Sequence, residues 1–177
     1  EDGLRILENL EHRGAVGADP KAGDGAGILI QIPDAFFREE AARLGFTLPA
    51  IGEYGVGHFF LPKDDAERKR VMDLVERVVA EEGQVFLGWR EVPVDNSDLG
   101  YSVKPTEPEH RQAFIGKGPS TTDQNHFERK LFVIRKRIFN TLFHETQAMP
   151  KDFYIPSLSS RTIVYKGLLL ADQVGEY

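Results

Sequence analysis

Cysteine is absent from the 177-residue chain. That removes disulfides, thiolate metal sites, iron–sulfur ligation and cysteine catalysis from what these residues can do by themselves. Positive charge is also short. The 22 lysines and arginines stand against 28 aspartates and glutamates, a formal net charge of −6, which is the wrong sign for a general nucleic-acid binder. No apolar run approaches the ~20 residues that span a bilayer. No charged-then-apolar leader stands at the start, so secretion is unsupported and the cytoplasm is the expected compartment. The first residue is Glu1, without an initiator methionine, and the expectation is that a natural beginning precedes it. What remains is an ordinary globular composition, 41% hydrophobic, 10% aromatic and 28% charged. The length suffices for a sizeable core, as one domain or a domain with a subdomain inserted.

Along the chain, Leu4, Leu7 and Leu10 recur at helical spacing and Gly14 is placed to stop that helix. Gly27 to Ile32 reads as a buried strand ended by Pro33. Asp34 is expected to cap a short helix through Phe36, Phe37, Ala41 and Leu44, which Gly45 terminates. Tyr54 to Leu61 reads as a strand. Asp64 and Asp65 precede a helix whose apolar face is Val71, Leu74, Val75, Val78 and Val79, closed by Gly83. Val85 to Val94 and Arg111 to Ile115 read as strands, with a polar connection from Asp95 to Pro108 between them. After a loop from Gly116 to Asn125, residues Phe127, Leu131, Ile134, Ile138 and Leu142 mark a further amphipathic helix. Phe153 to Leu170 holds one or two extended segments, strongest at Thr162–Tyr165.

From Tyr54 the order is β-α-β-β-α-β, the ferredoxin-like split βαβ plan with two helices on one face of an antiparallel sheet. The fold class expected is therefore α+β. A subdomain over 54–156 is expected to be inserted in a single partial domain over 1–177.

Several residue groups invite a chemical reading and have a plainer one. The glycines at 23, 25 and 27 suggest a phosphate cradle, but no Lys-Ser/Thr follows and the strand comes after them; close packing against another strand is the better account. Asp19, Asp24, Asp64 and Asp65 lack calcium-loop spacing, and helix capping explains the last two. The histidines at 12, 58, 110, 126 and 144 show no zinc-binding pattern. Ser157, Ser159 and Ser160 have no base nearby in sequence and are expected to hydrogen-bond a turn or strand end. Arg129, Lys130, Arg135, Lys136 and Arg137 form the one basic concentration, read as a solvated helix face or a docking surface between domains.

Four blocks, in order, carry a resemblance. They are Leu10-Glu11-His12-Arg13-Gly14-Ala15; Gly23-Asp24-Gly25-Ala26-Gly27-Ile28-Leu29; Phe127-Glu128-Arg129-Lys130-Leu131 with Ile134-Arg135-Lys136-Arg137; and Ser157 through Gly167. Together they resemble the N-terminal class II glutamine amidotransferase domain of the glutamate synthase large subunit. The resemblance implies part of a four-layer αββα N-terminal-nucleophile sandwich. It also implies a reaction in which an N-terminal cysteine attacks the glutamine amide, with the chain's own α-amine as base. Ammonia would then pass to 2-oxoglutarate in the parent enzyme. By that likeness the cysteine and the substrate-binding and oxyanion residues fall outside these residues, and only Arg13 carries over, in a supporting role beside the missing nucleophile. No substrate, cofactor or metal residue is assigned in the fragment, which is expected to be inactive alone. FMN and an iron–sulfur cluster are expected in other domains of the parent. The expected partners are glutamine, as parent substrate, and synthase domains of the same or a partner chain, with no nucleic acid and no membrane. The alternative is a non-catalytic binding or assembly module on a degenerate amidotransferase scaffold.

Overall fold

A computed structural model of the chain describes every residue except Glu1, Glu11, Arg13, Val16 and Gly17, and all side chains among the rest except that of Thr146. In chain order its helices and strands are α1 (Asp2–Asn9), β1 (Ala26–Gln31), α2 (Asp34–Arg43), β2 (Tyr54–Leu61), α3 (Asp65–Glu81), β3 (Val85–Glu91), β4 (Glu109–Gly116), α4 (Gln124–Thr146), β5 (Tyr154–Ser159) and β6 (Thr162–Gly167). The mixture is α+β. No helix among the described residues is long and apolar enough to cross a membrane. The chain divides into two compact units: Glu1–Ile30 with Pro93–Glu107 and Val164–Tyr177, and Gln31–Val92 with Pro108–Ile163.

The larger unit is built on a four-stranded sheet in the order β3-β4-β2-β5. Each neighbouring pair is antiparallel, with Tyr54 opposite Gly116 and Leu61 opposite Glu109 across the central pair. Strands β2 and β3, which α3 connects, are separated by β4, as in a split βαβ arrangement. The amphipathic periods of the two long helices dictate their placement. Val71, Leu74, Val75, Val78 and Val79 of α3 join Phe127, Leu131, Ile134, Ile138 and Leu142 of α4 and the sheet residues Phe59, Leu61, Ala113 and Ile115 in one core. Asp64 caps α3 by accepting from the Glu67 N–H at 2.8 Å, and Asp123 caps α4 through the His126 N–H at 2.9 Å. Phe37 of α2 meets Phe114 of β4 edge-on at 5.1 Å, and Glu40 pairs with the buried Arg90 of β3 at 2.8 Å.

Four local expectations are corrected. Helix α1 stops at Asn9 instead of running toward Gly14: Leu4 and Leu7 are only half-buried, Leu10 is exposed, and its N–H folds back onto Leu7 in a tighter turn. The burial that would extend a marginal helix is missing. Strand β1 is not buried throughout; it alternates, with Leu29 64% exposed, because its one described sheet partner is β6 and a strand covered on one face alternates. Asp34 does not cap α2. It lies in the first turn, where its carboxylate accepts from Arg38 at 2.9 Å and from the Tyr54 hydroxyl at 2.8 Å. Strand β3 ends at Glu91, short of Val94. The extended region near the C-terminus proves to be two strands in two different sheets.

The smaller unit holds α1, the β1–β6 pair, the 93–107 connection and a 3-10 turn at Asp172–Gly175. Its organisation is polar. Asp19 is buried and accepts from the Ser102 hydroxyl at 2.7 Å, the Ser102 N–H at 2.8 Å and the Lys21 N–H at 3.1 Å. Those donors hold its carboxyl below the usual carboxylate range, the Ser102 hydroxyl most of all.

Candidate functional site

The glycine-lined loop before β1 lies hard against the chain that follows and forms β6. A Cβ on Gly23 would stand 2.2 Å from the Leu169 carbonyl oxygen, and one on Gly27 would stand 2.4 Å from the Lys166 Cβ and 2.6 Å from the Tyr165 oxygen. No larger residue permits that approach. Close packing, as expected from the sequence, is what these two glycines serve.

That packing makes one wall of a cavity of about 370 Å³. Asp24, Gly25 and Ala26 supply the glycine-loop side, Leu169 to Ala171 the side beyond β6, and Leu7 and Leu10 an apolar edge. Gly14 and Ala15, the last two residues of the first sequence block, line the same space. The first two sequence blocks therefore meet at one cavity. Arg13, the single site residue expected from the sequence, lies outside the described residues. Gln173 fixes the far wall: its side-chain oxygen accepts from the Leu170 N–H at 2.8 Å, and its amide donates to the Asp98 carbonyl at 2.8 Å.

The third and fourth blocks meet through a residue not singled out from the sequence. The Glu128 carboxylate, in the first turns of α4, accepts from the Ser160 N–H at 2.5 Å, the Ser160 hydroxyl at 2.6 Å and the Ser159 hydroxyl at 3.0 Å. Gln124 adds a bond to the Ser160 hydroxyl at 3.1 Å, and Arg161 donates to Asn125 at 2.6 Å. Ser159 and Ser160 hold the turn between β5 and β6, as expected, and the acceptor that they share is the Glu128 carboxylate. The signal for Glu128 was an acidic residue early in a helix and a serine pair at a strand end. Nothing in sequence joins residues so far apart.

The basic concentration on α4 is corrected in part. Lys130 pairs with Glu82 at 3.0 Å, Arg137 with Glu82 at 2.8 Å and also with Glu81, and Arg135 donates to the Ile155 carbonyl at 2.6 Å. Three of the five cations are thus engaged inside the unit. Arg129 and Lys136 form no ion pair among the described residues.

Two histidines are paired inside the larger unit. His58 Nε2 and His110 Nδ1 are 3.2 Å apart, both rings buried. Burial first, and the neighbouring His110 second, push the His58 pKa down to about 3. Among the described residues no group of three or more histidines or carboxylates could hold a metal ion. Asp64 acts as a helix cap and Asp65 pairs with Arg68.

The class-II glutamine amidotransferase profile matches residues 1–177. The glutamate synthase [NADPH] large chain of Bacillus subtilis (strain 168) is 46% identical over 177 residues, which is 100% of this chain and 11% of that protein. The Azospirillum brasilense protein of the same name is 37% identical over 175 residues, covering 98% and 11%. The ferredoxin-dependent glutamate synthase 2, chloroplastic, of Arabidopsis thaliana is 38% identical over 176 residues, covering 98% and 10%. The chain spans about a tenth of the length of these relatives. With its four blocks in order and a profile match from end to end, it belongs to the class-II glutamine amidotransferases.

Proposed function

We propose that this chain is the glutamine-handling part of a glutamate synthase, in which glutamine is hydrolysed to glutamate and the ammonia is passed to 2-oxoglutarate elsewhere in the parent. The observation that carries the reading is the meeting of Gly14 and Ala15 with the glycine loop at one cavity. The residues present supply walls and no nucleophile. A cysteine from outside them would attack the side-chain amide, with its own α-amine taking the proton. The Arg13 guanidinium would favour the thiolate and orient the turn beside it. Without cysteine the chain offers no thiolate for an iron–sulfur cluster, and by the resemblance both the flavin and the cluster are assigned to other parts of the parent. Those parts are the partners, and the cytoplasm the compartment. The split βαβ region over 54–156 is read as an insertion into one partial amidotransferase domain over 1–177.

The test uses the complete parent polypeptide. Arg13→Gln is expected to lower glutamine-dependent ammonia release by roughly tenfold or more, an effect of the size seen when a group that activates a nucleophile is lost. Glutamate formation from free ammonia should hold. Unchanged glutamine hydrolysis would remove Arg13 from the site. The 177-residue chain alone is expected to release no ammonia above a no-protein control, and measurable release would refute its inactivity.

A further inference from the structure

Helix α4 has two apolar stripes, and only one is used. Phe127, Leu131, Ile134, Ile138 and Leu142 are 0% exposed in the core. Phe132, Phe139 and Phe143 are 57%, 47% and 43% exposed. With Lys136 they repeat at the four-three-four spacing of a single helix face, about 16 Å long at 1.5 Å per residue. Scattered exposed apolar residues are ordinary, whereas three aligned phenylalanines on a rigid helix make a patch of the kind that marks an interaction site.

The neighbouring strand edge narrows what can cover it. The row of α4 holding Glu128 and Arg135 meets β5, and the phenylalanine row is the next one outward. Strand β5 is the edge of the sheet, and its register slips opposite His58–Phe60. There Arg135 occupies the Ile155 carbonyl and Pro156 has no N–H to offer. The edge ladder is interrupted at Ile155–Pro156, which disfavours strand addition there and leaves side-chain packing on α4. The four-three-four spacing is the spacing a second helix reads.

Charge chooses between helices. Lys130 and Arg137, on the far flank of α4, are neutralised by Glu81 and Glu82. Arg129 and Lys136 border the phenylalanines without an ion pair among the described residues, although Arg129 acts on the Asp123 carboxylate through space, and the Lys136 ammonium lies 5.8 Å from the Phe132 ring centroid. A second copy of this face would bring cations against cations, although the whole chain carries −6. We infer that the outer face of α4 docks an amphipathic helix whose apolar side is bordered by aspartate or glutamate.

Two synthetic 21-residue helices test this, each with leucine at the first and fourth heptad positions and flanked either by glutamate or by lysine throughout. Like charge keeps each from pairing with itself. By fluorescence anisotropy the glutamate-flanked peptide is expected to bind the intact chain, and the lysine-flanked one about tenfold more weakly or less. Phe139→Ala and Lys136→Glu, both at exposed positions, should each weaken binding by about tenfold while leaving the melting temperature in place. Equal binding of both peptides would reduce the surface to unspecific stickiness and overturn the inference. So would no binding of the glutamate peptide, or sedimentation showing a dimer of the chain that Phe139→Asp dissolves.

Discussion

His58 is the residue whose surroundings most constrain its protonation. Its neutral ring sits beside His110 in the sheet, and a proton there would be both desolvated and next to a second imidazole. With a folded pKa of about 3 against an ordinary value of 6.5, the unfolded chain binds the proton more tightly between those two values. The contribution of His58 to stability is therefore full above about pH 6.5, falls as the pH drops below it, and is gone below about pH 3. Melting curves of the native chain and His58→Gln should converge as the pH is lowered from about 7 to about 4; parallel curves would refute the assignment. This pair was illegible in the sequence, because the two histidines come from strands 52 positions apart and meet only through the β2–β4 register. Gly23 and Gly27 were legible, since three glycines before an apolar run already point to a backbone pressed against its neighbour.

Among the elements, those with a wide apolar stripe and a capping aspartate, α3 and α4, matched their sequence patterns closely. Those that failed were short. The Leu4–Leu7–Leu10 spacing promised more helix than half-buried side chains sustain, and Asp34, one position inside its helix, found Arg38 and Tyr54 in place of a cap. The joint between α4 and the β5–β6 turn rests on Glu128, a single carboxylate serving three donors. Glu128→Ala leaves a buried Ser160 and its N–H without that acceptor. A loss of roughly 2–3 kcal/mol is expected, since hydrogen bonds to a charged group each contribute about 1.5–3 kcal/mol and are not additive. Glu128→Gln should recover part of it. Urea unfolding followed on the single tryptophan, Trp89, which packs on Phe59 at 5.4 Å, reports the change in the larger unit. An alanine variant within about 0.5 kcal/mol of the native chain would show that the turn holds itself.

At the scale of the whole molecule, apolar burial is unevenly shared. Of the buried apolar residues among those described, Leu169 alone belongs to the smaller unit, whose sheet has two strands. Such a sheet is marginal in water, and opening free energies follow buried apolar contact. Hydrogen exchange should find amides of β2 and β4 protected longest and those of β1 and β6 exchanging much sooner; equal protection would contradict this division. The candidate cavity lies in that less buried unit, and two of its sides, Gly14–Ala15 and the glycine loop, were legible as sequence blocks, whereas the Leu169–Ala171 side lies beyond them. Its depth was not, because it depends on where Gln173 pulls the chain beyond β6. The 93–107 connection has a different standing. It leaves β3 and returns on β4, yet these strands are already hydrogen-bonded neighbours up to Glu91 and Arg111, with Val92 bonded to His110 one step further. The stems of a hairpin are thus closed at its base, so the excursion can carry Ser102 to Asp19 and Asp98 to Gln173 without repitching β3 or β4.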